Sequence, residues 1–237
     1  QGHDVRIVAS GRAVGFLQAR HPARVIPITG LTLAYKDNMV SKLRTVLQNL
    51  RAVTGVPDNV RKFLETCEAF APHVVISDFE SWSYWFARSL SIPSISVDNM
   101  QIINRCTLDE DLIDQNGRSF ALAKNIVRGK LPKCNRYMIT TFFYPPLRRD
   151  RTELPPPILR ERIIAAKANA ADGEHVLVYQ TGTSHGALEE TLSGTDASFL
   201  VYGLRRDLEE DVVEGNLRYR PFSEDGFVSD LASARAV

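Results

Sequence analysis

Seven short apolar runs do most to limit what this 237-residue chain can fold into. They are Val5–Ala9, Val25–Ile28, His73–Ser77, Ser94–Val97, Tyr137–Phe142, Val176–Tyr179 and Phe199–Tyr202. Each is rich in Val and Ile and too short for a helix, which reads as a buried parallel strand. Helical stripes lie between many of them. Met39, Leu43, Val46, Leu47 and Leu50 form one, and Val60, Phe63, Leu64, Cys67 and Phe70 a second. Trp82, Trp85, Phe86 and Leu90 form a third, with a shorter one from Ile163 to Ala168. Strands alternating with helices predict an α/β fold with doubly wound parallel sheets.

The stretch from Tyr144 to Pro157 breaks the rhythm. It carries Pro145-Pro146, then Arg148-Arg149-Asp150-Arg151, then Pro155-Pro156-Pro157. Proline fixes φ and donates no hydrogen bond, so an extended connector is expected there rather than an element. The expected organisation is therefore two α/β domains, residues 1–150 and 151–237, the second unit beginning near Leu154. Trp82, Tyr84, Trp85 and Phe86 read as core, because three of the four fall on one helical side.

A net charge of +1 gives no global basic field, so nucleic acid is not an expected partner. The three cysteines, Cys67, Cys106 and Cys134, lie far apart with no C-x-x-C, which fits buried thiols and a reducing cytoplasm. No apolar run reaches the roughly 20 residues that span a bilayer. The chain opens Gln1-Gly2-His3-Asp4-Val5, at the lip of a strand, and ends within what reads as a helix from Leu231 to Val237. Both ends are expected to fall inside a fold, as in a portion of a longer protein.

Three places combine strand ends with chemistry. Val176–Tyr179 runs into Gln180 and then Thr181-Gly182-Thr183-Ser184-His185-Gly186 before a helix start. Glycine lets the backbone bend and another group approach, and unpaired N–H groups at a helix start attract anions. The turn reads either as a phosphate cradle or as an ordinary strand-to-helix turn. In the run from His73 to Trp82 a strand ends at Ser77, and Asp78 and Glu80 follow. Ligands of open α/β sheets bind outside the carboxyl ends of strands. One of these acids can serve as a general base or hold a substrate hydroxyl. The other reading is that Asp78 caps the next helix and Glu80 favours its first turn. Asp98 and Asn99 repeat the pattern, as ligands of a polar group or as an Asx turn.

The five histidines show no metal-ligand spacing, so no metal is expected, and no separate cofactor is expected either. His73 and His175 read as positional, and His185 as facing either a phosphate or solvent. The basic clusters Arg148, Arg149, Arg151 and Arg205, Arg206 read as solvated surface. Serine-hydrolase, kinase and P-loop readings are set aside.

Val176 to Ala187 resembles the first strand and glycine turn of the C-terminal domain in GT-B glycosyltransferases, closest to the branch containing the peptidoglycan N-acetylglucosaminyl transferase. Leu154-Pro-Pro-Pro-Ile-Leu-Arg160 resembles the segment entering that domain, and Phe199-Leu-Val-Tyr-Gly203 its second strand. Leu217 to Phe222 and Phe227 to Ala234 resemble the strand and helix before the donor-sugar motif. In the first domain, Gly2–Val5, Ile76–Glu80, Ser96–Asn99 and Ile139–Phe142 resemble a less characterised group of the same superfamily. Two departures accompany the resemblance. The family's first strand and its glycine-rich loop with a histidine would lie before Gln1, and its Gly-Gly…Glu segment after Val237.

The resemblance implies two Rossmann-like domains, the second incomplete, and a transferase that moves a sugar from a nucleotide-linked donor, UDP-linked, to an acceptor hydroxyl. Residues 1–150 would be the acceptor side and 151–237 the donor side. Thr181, Gly182, Thr183 and Ser184 would face the donor diphosphate, Gly203 would line the same site, and Pro221 and Phe222 would lie near the base. Asp78 and Glu80 would be catalytic on the acceptor side, with Asp98 and Asn99. The acceptor would be lipid- or glycan-linked, and the location cytoplasmic with peripheral membrane contact. Two alternatives stand beside this: a sugar-nucleotide epimerase or hydrolase of the same fold, and a non-catalytic nucleotide-sugar-binding module.

Overall fold

Ser94–Asp98 shows how the first sheet is built. Its odd members, Ile95 and Val97, are half-buried on one face, while Ser94, Ser96 and Asp98 are buried on the other. A strand covered on both faces and paired on both edges has no solvent side, as parallel sheets require. The chain, in a computed structural model, is described for residues 2–30, 35–36, 39–40, 56–180, 187–205 and 207–237.

In chain order the elements are β1 (Ile7–Ala9), α1 (Ala13–Arg20), β2 (Val25–Pro27), β3 (Tyr35–Lys36), β4 (Met39–Val40) and α2 (Val56–Phe70). Then come β5 (Val75–Ser77), α3 (Ser81–Ser89), β6 (Ser94–Asp98), α4 (Ile102–Arg105), α5 (Glu110–Lys130), β7 (Arg136–Ile139) and β8 (Thr152–Glu153). The remainder is α6 (Glu161–Asn169), β9 (Val176–Tyr179), α7 (Leu188–Ser193), β10 (Phe199–Tyr202), β11 (Val212–Glu214), β12 (Leu217–Tyr219) and α8 (Glu224–Ser233). Contacts divide the chain into two compact units, Gln1–Ala34 with Lys42–Pro157, and Tyr35–Ser41 with Ile158–Val237.

The first unit carries a parallel sheet in the order β5-β6-β7-β8, with Ile76 opposite Ile95 and Val97 opposite Met138. β8 corrects one expectation. The proline-rich connector supplies an edge strand, with Tyr137 opposite Thr152. Proline is tolerated beside an edge because one side of that strand needs no partner. Under the sheet, Tyr84, Leu131, Cys134 and Tyr137 form a core, with Phe79 packed against it. The Tyr137 hydroxyl donates to Leu131 O at 2.7 Å and accepts from Cys134 N at 2.9 Å. Burial pushes that phenol up to about 12.

β1 and β2 form a separate two-stranded parallel sheet, Ile7 opposite Val25 through Ala9 opposite Pro27. Fully buried Asn59 of α2 fastens the end of β2 by accepting from Thr29 N (2.9 Å) and donating to Thr29 O (2.8 Å). A cavity of about 1270 Å³ is lined by Gly2–Ser10 and by Pro72–Val74 with Ile76–Asp78.

The second unit has the sheet order β11-β12-β10-β9. β9, β10 and β12 are mutually parallel, and β11 returns antiparallel to β12. Gly215, at φ +60°, makes the turn between them. Phe199, Val201, Leu217 and Tyr219 form its core. α6 and α8 pack together on this unit, joined by ion pairs from Arg160 to Glu224 and from Arg162 to Asp225.

Two helical stripes differ from expectation. On α3 the buried residues are Ser81, Ser83, Tyr84 and Ala87, while Trp85 and Leu90 are about half exposed. The small side chains let the helix approach the sheet closely with Tyr84 beside them, while Trp85 faces outward. Met39 and Val40 lie in a strand antiparallel to Tyr35 and Lys36. The rest of that stripe lies outside the described residues.

Candidate functional site

β5, β6 and β7 are parallel, so their carboxyl ends share one edge of the first sheet, and the acids named above fall there. They differ in what their oxygens already do. Glu80 is the N-cap of α3, with one carboxylate oxygen accepting from Trp82 N (2.8 Å) and the other from Ser83 N (2.7 Å). A carboxylate at this position satisfies two orphan donors and opposes the positive end of the helix dipole. The capping residue is thus Glu80, not Asp78. Asp98 is buried and accepts from Ser96 Oγ (2.6 Å) and from Gln101 N (2.9 Å). Asn99 is exposed, and its carbonyl accepts from Ile102 N at 3.3 Å.

Asp78 is different. It is exposed, lines the cavity beside β1, and makes no hydrogen bond or ion pair among the described residues. Crowding by the surrounding protein, and then the negative charge of Asp98, raise its pKa above the usual carboxylate value. That shift moves a carboxylate toward the basicity that proton abstraction needs. Phe79, next in sequence, holds a φ of +55°, a conformation rare for an aromatic residue. Strain of this kind concentrates where the chain must aim a side chain.

Lys130 completes this corner, and sequence reasoning missed it. Its ammonium lies 4.1 Å from the Phe79 ring centroid. Burial lowers its pKa, against the opposing pull of Glu80 and Asp98. No motif marks it; the only hint was a lysine at the end of a helix, where the dipole favours a cation. Ser81 Oγ and Trp82 Nε1 in the first turn of α3 are buried without a hydrogen-bond partner among the described residues. Buried polar atoms normally have partners, so this turn has hydrogen-bonding capacity in reserve.

In the second unit, the carboxyl ends of β9, β10 and β12 also share an edge. Thr181, Gly182, Thr183 and Ser184 follow β9 but lie outside the described residues, as do His185 and Arg206. Gly203 ends β10 at φ +89°, and a Cβ there would sit 2.2 Å from Gln180 O. Only glycine lets the two strand ends approach this closely. Pro221 is half-buried and Phe222 exposed in the link from β12 to α8, whose N-cap Ser223 accepts from Gly226 N at 3.2 Å.

Phe227 of α8 gathers the aromatics of this edge: Tyr202 at 5.2 Å, Tyr179 at 5.3 Å and Phe222 at 6.3 Å between centroids. Tyr202 Oη donates to Asp230, which also pairs with Arg220 at 3.1 Å, and burial pushes this phenol up to about 12. Arg205 is committed to Glu214 through two bonds, at 2.7 and 2.6 Å.

Gly182-Thr183-Ser184-His185-Gly186 also fits G-x-S-x-G between a strand and a helix, the pattern of a hydrolase nucleophile elbow. The sequence pattern therefore gives no ground for setting a serine-hydrolase reading aside, and that expectation is corrected.

Among the described residues no group of three or more His, Cys, Asp or Glu could hold a metal ion, and no helix is long and apolar enough to cross a membrane. A comparison with curated proteins finds no match. A family model described as Glycosyl transferase family 1 matches residues 1–237.

Proposed function

The chain belongs to glycosyl transferase family 1 and is a glycosyltransferase, and from that premise we propose that it takes a sugar from a UDP-linked donor and transfers it to a hydroxyl of a lipid- or glycan-linked acceptor at a membrane periphery. The observation that carries the residue assignment is the contrast among the acids at the first sheet edge. Glu80 and Asp98 spend their oxygens on backbone and serine donors, whereas Asp78 has no partner among the described residues and is raised in pKa.

Asp78 takes the proton from the acceptor hydroxyl. That oxygen then bonds to the anomeric carbon, while the bond from this carbon to the donor phosphate breaks and its electron pair leaves with the nucleoside diphosphate. Glu80 and Asp98 are positioning residues. They hold the start of α3 and the end of β6, with Asn99 beside them. Ser81 Oγ offers the acceptor a hydrogen bond at the same turn. Residues 1–150 thus act as the acceptor side and 151–237 as the donor side. In the latter, Thr181, Gly182, Thr183 and Ser184 face the diphosphate, Gly203 keeps the strand ends close, and Pro221 and Phe222 meet the base. Backbone donors at a glycine turn stabilise charge as it develops on the leaving group.

Titration calorimetry of the protein with UDP- and GDP-sugars tests the donor assignment. Binding of a UDP-sugar is expected, and no binding of any nucleotide sugar overturns it. Product analysis separates the reactions. Transfer requires an added acceptor, while release of free sugar or an epimer without acceptor marks a hydrolase or epimerase.

A further inference from the structure

The loop after β7 places three consecutive aromatics in solvent. Phe142 is 88% exposed, Phe143 58% and Tyr144 63%, and Leu147 follows at 49%. Single exposed apolar residues are ordinary, but a run of this size marks a contact surface. The loop is fixed at both ends. Thr141 Oγ1 accepts from Phe143 N (3.2 Å) and donates to Phe143 O (3.0 Å). Thr107 N donates to Pro146 O, Arg148 N donates to Arg105 O (both 2.9 Å), and Cys106 bridges to Leu147. The aromatics therefore stand on a braced support and do not fold back on the core.

Charge along the stretch of sequence that carries this loop is one-sided, although the whole chain is nearly neutral. From Gly117, where α5 breaks its helical dihedrals, to Arg151 there are nine Arg or Lys and one acid, Asp150. Of the nine, Arg136 alone has an ion pair among the described residues, with Glu153. Arg148 and Arg149 are exposed, and among the described residues their guanidinium groups donate only to the Asn104 carbonyl, at 3.2 and 3.1 Å. Both act on Lys124 of α5, whose pKa is lowered by burial and by their positive charge. Leu122, 41% exposed, adds apolar surface on that helix. The acids of α5, Glu110, Asp111 and Asp114, all precede the Gly117 break.

We infer that this loop is the membrane-docking face of the protein, with Phe142, Phe143, Tyr144 and Leu147 entering the headgroup region of an anionic bilayer and Arg148, Arg149 and Lys124 meeting its lipid phosphates. Aromatic rings favour the membrane–water interface, and basic residues beside them add about fivefold in affinity each on an anionic leaflet. Neither signal suffices alone, since stable peripheral binding takes two. The face rests on the peripheral association proposed above and gives it residues. It also sits at the carboxyl edge of the sheet that presents Asp78, so an acceptor anchored in the same leaflet would be presented to that edge.

Vesicle co-sedimentation tests the face without an activity assay. Vesicles of phosphatidylcholine with about one-third phosphatidylglycerol should retain the protein, and pure phosphatidylcholine should not. Phe142→Ser with Phe143→Ser should weaken retention more than about tenfold, and Arg149→Gln about fivefold. Raising salt from about 0.1 M to about 1 M, which shortens the screening length from about 10 to 3 Å, should release most of it. Circular dichroism of the variants should match the parent, since these side chains are exposed. If the parent binds no vesicle, membrane association itself falls. If it binds anionic vesicles but the loop variants bind equally well, this face falls while the association stands. Dimerisation that the Phe142→Ser and Phe143→Ser changes abolish would make the surface a self-contact and overturn the proposal.

Discussion

At the carboxyl edge of the first sheet the strands deliver acids, Asp78 after β5 and Asp98 at the end of β6. At the same edge of the second sheet they deliver Gln180, Gly203 and an Arg220 already paired with Asp211 and Asp230. The two edges have the same parallel architecture and opposite chemistry. One gathers carboxylates, and a dianionic diphosphate would be repelled from it. The other balances its charges in internal ion pairs, is pinched by glycine and carries a cluster of aromatics. The lesson is that the fold supplies the edge twice, and short loop sequences decide what each edge handles.

The most direct way to break this contrast is Asp78→Asn. If Asp78 is the base, transfer should fall by about 10²–10⁴-fold, measured as kcat with saturating donor and acceptor. Its stability effect should run the other way. A carboxyl with a raised pKa holds its proton more tightly in the folded state than in the unfolded chain. Its contribution to stability therefore falls as pH rises from the ordinary value of 3.8 through the raised folded value, and at neutral pH the ionised form is a cost. The variant's Tm at pH 7 should equal or exceed the parent's, and the gap should close in acid. A lower Tm with unchanged kcat would make Asp78 a structural residue.

Gly203→Ala attacks the other edge. The new Cβ meets the Gln180 carbonyl at 2.2 Å with φ at +89°, so about 2–3 kcal/mol of stability should be lost, read from the denaturant midpoint. Phe222→Ala should raise donor KM about tenfold if its ring stacks on a base, with kcat little changed because 70% of the residue is already in solvent. Glu80→Ala should cost about 1 kcal/mol through the lost cap. Glu80→Asp should restore part of that stability, and transfer should follow it, as expected of a residue that positions the chain.

The strand ends were readable because buried parallel strands leave an apolar signature that turn residues interrupt. All seven expected strands form, with every end within three residues of its expected place and two strands matched residue for residue. β8 escaped notice because two residues, Thr152 and Glu153, carry no periodicity, and their neighbours argued for a connector. The outward turn of Trp85 escaped for a related reason. Periodicity finds a helical stripe, but the side that approaches a sheet is chosen by which residues are small. Within the site, Asp78 and Glu80 were legible as a pair, whereas their division of labour depends on which one reaches the α3 amides. Lys130 lies 50 positions from Glu80 and leaves no local trace.

The separation of β1 and β2 from the four-stranded sheet bears on how the first unit breathes. A two-stranded sheet is marginal in water by itself. Asn59 on Thr29, Lys62 on Pro27 O and the Arg6 guanidinium over Phe70 tie it to α2. In hydrogen-exchange terms this corner should open as its own cooperative unit. The amides of Ile7 and Ile28 should exchange together and well before that of Tyr137, so the wall facing Asp78 can loosen while the strand-end edge that carries it stays folded.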